Sequence, residues 1–313
     1  MGDFSFAADM GGTRIKLGLV SQGRILARKV LPSESHRPVE WQMKRIKDEW
    51  LALCRERGLV IHGSRGAGIA FPAIIDRHEN KPTDYYGKFP GSTDFDFSRW
   101  ADEELSCSIV LENDARCALL GESRYGAGKD TANLALFTLG TGIGSAIMEN
   151  SKLTGGERGN SGNLLGHRPS GGEGIPCVCG RKDCAEARTS LKILNERIRS
   201  RSDYGTSRLS RYETVDYRIL FDCRREGDAP AREISNSVME IWADAMIPAL
   251  EEFQAERVII GGGIMASGDI ILPYVQERLK KVNPSIVCRA ALCGDDAGLL
   301  GAAELLTIGD CNG

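Results

Sequence analysis

The feature that most constrains the fold is an order of segments that occurs twice along the chain. In each half, an apolar strand leads into a glycine turn, a hairpin partner follows, and helices and further strands come after it. The first copy begins at residues 4–8 and turns at Gly11-Gly12. The second begins at residues 133–139 and turns at residues 140–144. The repeat predicts two similar α/β domains with a cleft between them.

The apolar spacing between the glycine turns predicts the main helices. One helix is expected over residues 39–57, where Gly58 would end it, and another opens at Asp114. The other helices are predicted at about residues 184–199, 231–253, 269–281 and 297–307.

Composition narrows the class of protein. The chain has 313 residues, a net charge of −3 and ten cysteines. That charge argues against a nucleic-acid-binding surface. The chain shows no apolar run near the ~18 residues of a membrane span, and no signal peptide is apparent at its beginning. The cysteines are too sparse for a disulfide scaffold. We therefore expect a cytoplasmic protein with neither a nucleic-acid nor a membrane partner.

A cluster of cysteine and histidine residues predicts a metal site. His167, Cys177, Cys179 and Cys184 fall within eighteen residues, among several glycines. Thiolate and imidazole are the ligands that Zn²⁺ prefers in a closed tetrahedral site. The alternatives are a surface loop with chance cysteines and a pair of disulfides. We favour a structural zinc ion because the rest of the chain has an intracellular composition.

Three glycine turns follow predicted strands and are candidates for phosphate binding. They are Asp9-Met-Gly11-Gly12-Thr13, residues 140–144 and residues 261–263. Glycine lets backbone N–H groups approach phosphate oxygens, although each turn alone could be an ordinary tight turn. Neither a P-loop nor a dinucleotide-binding pattern is present. Three such turns favour a split phosphate and nucleotide site, and the oxygens of Asp9 and Thr13 suit Mg²⁺ or its waters.

The segment Glu112-Asn113-Asp114 lies between a predicted strand and a helix. Asn-Asp at this position is a common helix N-cap. It could also be catalytic, with Asp114 accepting a proton from a substrate hydroxyl and Asn113 orienting the same substrate. The helix N-terminus is expected to keep Asp114 ionised. The two interpretations are compatible.

Taken together and in order, these motifs make the chain resemble the ROK family of sugar kinases and repressors over essentially its whole length. The matching segments are Asp9–Thr13, Gly68-Ile-Ala-Phe-Pro72 through Asp76, Glu112–Asp114, Gly140–Gly144, Gly166-His167, Cys177–Gly180, Cys184–Glu186 and Gly261–Gly263. The resemblance implies an actin/hexokinase-like fold of two ribonuclease-H-like α/β domains. The smaller domain would comprise residues 1–115 and about 297–313, and the larger one residues 116–296.

The resemblance also implies roles for individual residues. Asp114 would be the general base, and four residues would hold zinc: His167, Cys177, Cys179 and Cys184. The sugar would be bound by Asn113, His167, Glu186 and Pro72. ATP and Mg²⁺ would be bound by Asp9, Gly11, Gly12, Thr13, Lys16, Gly140, Thr141, Gly142 and Gly144, with Gly261, Gly262 and Gly263 near the adenosine.

One position departs from the family pattern. The family has A-G-E-x-G-H, with the glutamate on the sugar, whereas this chain has Ser161-Gly-Asn-Leu-Leu-Gly-His167. Counting back from His167 puts Leu164 at the glutamate position, while aligning the small pair puts Asn163 there. Asn163 could still bind a hydroxyl, and Leu164 could not. Loss of one charge-assisted hydrogen bond costs about 1.5–3 kcal/mol, enough to change sugar preference.

The function that the resemblance implies is ATP-dependent phosphorylation of a hexose at a primary hydroxyl such as O6. Glucose is the first expectation, followed by N-acetylmannosamine, N-acetylglucosamine, fructose and allose, and a homodimer is expected. The competing classes are a sugar-sensing regulator and a sugar-binding protein without catalysis. Family repressors carry a helix-turn-helix domain before the first glycine turn, and only eight residues precede Asp9 here. Residues 77–91 are expected to border the sugar pocket.

Overall fold

The computed structural model describes residues 4–84, 87–140, 142–155 and 161–309. The strands are β1 Phe4–Met10, β2 Arg14–Ser21, β3 Arg24–Pro32, β4 Ser64–Phe71, β5 Ile75–Asp76, β6 Lys81–Pro82, β7 Ile109–Asn113, β8 Leu134–Leu139, β9 Ile143–Glu149, β10 Lys152–Leu153, β11 Arg257–Gly261 and β12 Val287–Ala290. The α-helices are α1 Val39–Arg57, α2 Phe97–Leu105, α3 Asp114–Tyr125, α4 Ala185–Arg188, α5 Leu191–Arg199, α6 Tyr217–Arg225, α7 Ala229–Glu251, α8 Gly268–Lys280 and α9 Ala297–Gly309. In this described part of the chain, none of the helices combines the length and the apolar character that crossing a bilayer requires.

The chain divides into two compact units. The first comprises Met1–Asp130, Leu153–Ser161 and Leu292–Gly313, and the second comprises Thr131–Lys152 and Gly162–Ala291. Helix α9, at the end of the chain, therefore belongs to the same unit as β1.

The first unit is built on a five-stranded sheet with the order β3-β2-β1-β4-β7. The first three strands are antiparallel neighbours, whereas β4 and β7 run parallel to β1. Alternate side chains of β1 are buried against α1, where Phe6 lies 5.1 Å from Trp50 between ring centroids. The Trp50 indole donates to the Ala7 carbonyl (3.1 Å), so the buried ring keeps its hydrogen bond.

The second unit repeats this sheet with the order β10-β9-β8-β11-β12. Strand β8 pairs antiparallel with β9 and parallel with β11, which in turn pairs parallel with β12. Trp242 of α7 lies in the core of this unit, with its ring 5.0 Å from that of Tyr217. The predicted duplication of an α/β unit is thus confirmed.

The helix predicted over about residues 184–199 is wrong in one respect. The structure has two helices there, α4 and α5, separated at Thr189 and Ser190. The Ser190 side chain accepts the Ile193 N–H and caps a new helix. Serine at an N-cap competes with continuation of the preceding helix, and the apolar spacing does not show this competition.

Helix α9 packs closely against α3 because glycines remove side chains from the contact. A Cβ on Gly301 would lie 1.7 Å from the Cys117 carbonyl oxygen, and one on Gly121 would lie 2.3 Å from the Ala297 oxygen. These separations are far below van der Waals contact. Buried Glu122 of α3 also binds the segment just before α9, because its carboxylate accepts the Leu292 and Cys293 N–H groups (3.1 and 2.7 Å).

Replacing Gly301 with Ala is therefore expected to destabilise the protein. The added methyl group would have to push two helix backbones apart, and overpacking of this kind costs about 1–3 kcal/mol or more. Gly205→Ala is the matched control, because no atom lies within 4 Å of the Cβ that it would add. Denaturant unfolding of both variants measures the effect, and equal midpoints would contradict this view of the helix contact.

Candidate active site

Asp114 stands where β7 of the first unit passes directly into α3. The Asn113 side chain accepts the N–H groups of Ala115 and Arg116 (3.0 and 3.3 Å), and its amide donates to the Ala73 carbonyl (3.1 Å). Asn113 is therefore the N-cap that the sequence indicated. Phe71 at the end of β4 pairs with Asn113, so the next residue, Pro72, lies near the start of α3. Pro72 is buried.

The electrostatic setting of Asp114 includes effects that the sequence does not show. Burial and the neighbouring Asp9 carboxylate raise the pKa of Asp114 to about 6, and they outweigh the Ala115 N–H, the Lys88 ammonium and the Asn113 side chain, which lower it. The sequence predicts only that the helix N-terminus keeps this carboxyl ionised. At neutral pH Asp114 is still ionised, and the raised pKa makes it a better proton acceptor than an ordinary aspartate.

An ionic cluster centred on buried Glu112, which sequence reasoning missed, fixes the backbone before Asp114. Glu112 accepts the Asn113 N–H (2.8 Å) and faces two guanidinium groups, those of Arg77 (Nε–Oε2, 2.9 Å) and Arg116 (Nε–Oε1, 3.0 Å). Arg116 is fully buried and also donates to the Thr154 carbonyl. The cluster ties together three segments of the first unit that are far apart in sequence, namely Arg77, residues 112–116 and Thr154.

The first glycine turn joins β1 to β2 and leaves Gly12 and Thr13 exposed. Asp9 and Lys16, predicted to bind the nucleotide with Mg²⁺, pair with each other (Nζ–Oδ2, 3.0 Å). The Lys16 ammonium also donates to the Asp295 carbonyl (2.8 Å), next to the start of α9. The structure thus brings Asp9, the turn and Asp114 together within one unit.

The second and third glycine turns meet in the second unit. A Cβ on Gly262, which has a φ of +94°, would lie 2.1 Å from the Leu139 carbonyl oxygen at the end of β8, directly before Gly140. Gly261 ends β11, and Gly263 begins a short 3₁₀ turn before α8. Gly144 lies within β9, paired with Thr138, rather than in the turn. Thr141 lies outside the described residues.

Glu186 links the second turn to the cysteine cluster. Its Oε2 atom accepts the Ile143 N–H (2.8 Å), while Oε1 lies 3.6 Å from His167 Nε2. A Cβ on Gly142 would lie 2.4 Å from Oε2, so only glycine leaves room for this carboxylate. A histidine whose second nitrogen faces a carboxylate is typical of metal-ligating imidazoles.

The four predicted metal ligands are brought together. The ligand atoms of His167, Cys177, Cys179 and Cys184 all lie within 4.8 Å of one another. The His167 Nδ1–Cys177 Sγ distance is 3.4 Å and the Cys179 Sγ–Cys184 Sγ distance is 3.6 Å. Zinc bonds of about 2.0–2.3 Å in a tetrahedron separate neighbouring ligands by about 3.4–3.8 Å. The donor set and these two separations therefore fit a tetrahedral metal ion.

Asp183 holds the cysteine loop in shape, a role that the sequence did not reveal. Its carboxylate accepts the N–H groups of Gly174 (3.0 Å) and Ile175 (2.8 Å), and its backbone has a left-handed φ of +57° directly before Cys184. The two hydrogen bonds offset the strain of that conformation in a residue other than glycine.

The segment that departs from the family pattern places one polar side chain inside the protein. Asn163 is 7% exposed, and in the part of the chain that the structure describes neither amide atom has a hydrogen-bond partner. Leu164 is half-buried. An unpaired buried amide is costly, and most such groups in folded proteins find a partner or a ligand.

The chain has two five-stranded sheets of the same topology, and in each of them a glycine turn follows a strand. This arrangement defines an actin/hexokinase-like α/β protein. Comparison with known proteins agrees with this fold and identifies the family. The chain belongs to the ROK family, whose model matches residues 5–308.

Related proteins match along nearly the whole chain. It is 32% identical over 311 residues to a glucokinase from Thermotoga maritima, and the match covers 95% of each chain. An N-acetylmannosamine kinase from Haemophilus influenzae is 27% identical over 320 residues, covering 95% of this chain and 93% of its own. Among solved structures, a ROK hexokinase from Thermus thermophilus superposes with a TM-score of 0.81 at 26% identity, covering 99% of this chain and all of its own.

Proposed function

We propose that this protein is an ATP-dependent hexose kinase in which Asp114 is the general base. The observation that carries this proposal is the Asp114 carboxyl, which has a pKa near 6 and lies close to Asp9 and the first glycine turn. The similarity to a glucokinase over 95% of the chain supports the same reaction class.

In this mechanism Asp114 accepts the proton of a sugar hydroxyl as the hydroxyl oxygen attacks the γ-phosphorus of ATP. The new O–P bond forms while the bond to the β-phosphate oxygen breaks, and ADP leaves with that electron pair. The backbone N–H groups of the glycine turns would hold the phosphates in line, and positioning supplies much of the acceleration. Asp9 would bind a Mg²⁺ ion through water molecules of the ion. The bound ion would neutralise part of the phosphate charge.

For the sugar, we propose Asn113, Asn163, His167, Glu186 and Pro72 as the surrounding residues. Glu186 and His167 offer a carboxylate oxygen and an imidazole nitrogen beside the second glycine turn. The Asn163 amide is buried and has no hydrogen-bond partner among the residues that the structure describes, which supports Asn163 over Leu164 as the residue that replaces the family's glutamate.

We propose that the cysteine cluster holds a structural zinc ion. The four protein donors would fill a tetrahedron and would leave no open position for chemistry. The ion would anchor the loop so that Glu186 and His167 keep their orientation.

A coupled ADP-release assay across hexoses and N-acetylhexosamines tests the proposed activity. We expect glucose to give the highest kcat/KM, with the phosphate on O6 by ³¹P NMR of the product. Preference for N-acetylmannosamine, N-acetylglucosamine, fructose or allose would reassign the substrate. Sugar binding without ADP release would instead indicate a non-catalytic sugar-binding protein.

A homodimer is also part of the proposal, by analogy with the family. Light scattering on the purified protein measures the molar mass directly.

A further inference from the structure

One cationic side chain lies at the proposed site of transfer without an assigned role. The Lys88 side chain extends over Gly12 of the first glycine turn. A Cβ on Gly12 would lie 3.2 Å from Lys88 Cε and 3.4 Å from Nζ. The Lys88 ammonium is also near enough to Asp114 to act on its ionisation. It therefore stands beside both the phosphate-binding turn and the base.

Lys88 differs in its partners from Lys16, which also lies at this site. Lys16 is engaged by Asp9 and by the Asp295 carbonyl. Among the residues that the structure describes, none forms a hydrogen bond or an ion pair within 4 Å with Lys88. The side chain of half-buried Lys88, which ends beside the exposed Gly12, is placed to receive an anion.

The backbone after Lys88 is held firmly, so the position of this side chain is built into the fold. Phe89 is fully buried, with its ring 5.6 Å from that of Phe71, and its N–H donates to the Ser35 carbonyl (2.6 Å). Its φ is +56°, a left-handed conformation that bulky residues rarely adopt. Such strain persists where the surroundings impose it, and it is common at functional sites.

We propose that Lys88 is a further catalytic residue, whose ammonium binds the transferring γ-phosphoryl group. The inference rests on the proposed kinase function and adds a residue to it. The group that must pass between the base and the phosphate-binding turn is this phosphoryl group. Lys88 exchanges no proton in the step: Asp114 takes the hydroxyl proton, ADP takes the electron pair, and Lys88 neutralises charge on the phosphoryl oxygens.

The test uses Lys88→Met and Lys88→Arg, with Lys192→Ala as the control. Lys192 is 82% exposed on α5 and has no part in the proposed site. Removal of one preorganised charge donor is expected to lower kcat by about 10²-fold in Lys88→Met, with the sugar KM changed little. Lys88→Arg should recover part of the loss because the positive charge remains. AMPPNP is an ATP analogue that keeps the γ-phosphate but is not hydrolysed. Calorimetry should show that Lys88→Met weakens AMPPNP binding about tenfold more than it weakens ADP binding.

The outcomes separate this inference from the proposed function. If the wild-type protein phosphorylates a hexose and Lys88→Met keeps its kcat, the Lys88 assignment is wrong while the kinase function stands. Equal weakening of ADP and AMPPNP binding would also overturn it, because it would show that Lys88 does not act on the γ-phosphoryl group. A wild-type protein that phosphorylates no sugar would remove the proposed function and this role together. ADP affinity also reports on folding of the variants.

Discussion

Asp114→Asn is expected to lower kcat by about 10²–10⁴-fold while leaving the sugar Kd nearly unchanged. The amide keeps the shape of the side chain and its contact with the Ala115 N–H, but it cannot accept the hydroxyl proton. Steady-state kinetics and calorimetry with the sugar measure the two effects separately. Asp102→Asn, at an exposed position of α2, is the control and should behave as the wild type.

The same carboxyl predicts how activity depends on pH. Because burial and Asp9 raise the pKa of Asp114 to about 6, kcat/KM should fall as pH drops through this value and the base becomes protonated. Lys88 opposes this shift, and Lys16 partly neutralises Asp9. A profile that is flat from pH 5 to 8 in the wild-type protein would contradict a base with this pKa.

The free energy of unfolding should respond to pH in the direction opposite to activity. The pKa of Asp114 in the folded state, about 6, lies well above the ordinary value of 3.8. The folded state therefore takes up a proton between pH 6 and 4 that the unfolded state does not, and the wild type loses stability as pH rises through this window. Asp114→Asn should be more stable than the wild type above pH 6, by at most about 3 kcal/mol, and the gap should close below pH 4. Unfolding midpoints at pH 4 and 8 measure it.

Loss of one metal ligand has the second large expected effect. Cys179→Ser should release the bound zinc and, with it, the orientation of His167 and Glu186, so that sugar affinity falls together with metal content. Structural zinc sites contribute about 10–16 kcal/mol of binding free energy, comparable with the about 5–15 kcal/mol that stabilises an ordinary domain. Metal analysis, thermal unfolding with and without a chelator, and sugar titration measure the three consequences.

Cys107→Ser provides the control for the metal experiment. Cys107 is a half-buried free thiol outside the cluster, so this variant should keep its zinc. Native protein without zinc, or Cys179→Ser with a full equivalent of it, would be inconsistent with a structural zinc site.

Much of the fold could be predicted from the sequence because its signals are local. Short apolar runs mark β1 and β8, and Gly58, with a φ of +64°, ends α1 as expected. The Asn113 cap and the spacing of the four metal ligands were likewise readable, because each depends on residues close together in the chain.

The rest of the site depends on contacts between distant segments. The raised pKa of Asp114 arises from burial and from Asp9, a residue far earlier in the chain. Arg77 and Lys88 come from residues 77–91, a segment with little regular periodicity, and their importance appears only when the fold places them beside Glu112 and Gly12. The spacing of the residues alone could not show that the Asp183 carboxylate accepts the Gly174 N–H within the loop that carries the cysteines.

The most direct test of the central claim is a crystal structure of the protein with a hexose and AMPPNP. We expect an Asp114 carboxylate oxygen within about 2.6–3.2 Å of the sugar hydroxyl that faces the γ-phosphorus. A complex in which the Asp114 side chain points away from every hydroxyl of the bound sugar would contradict it.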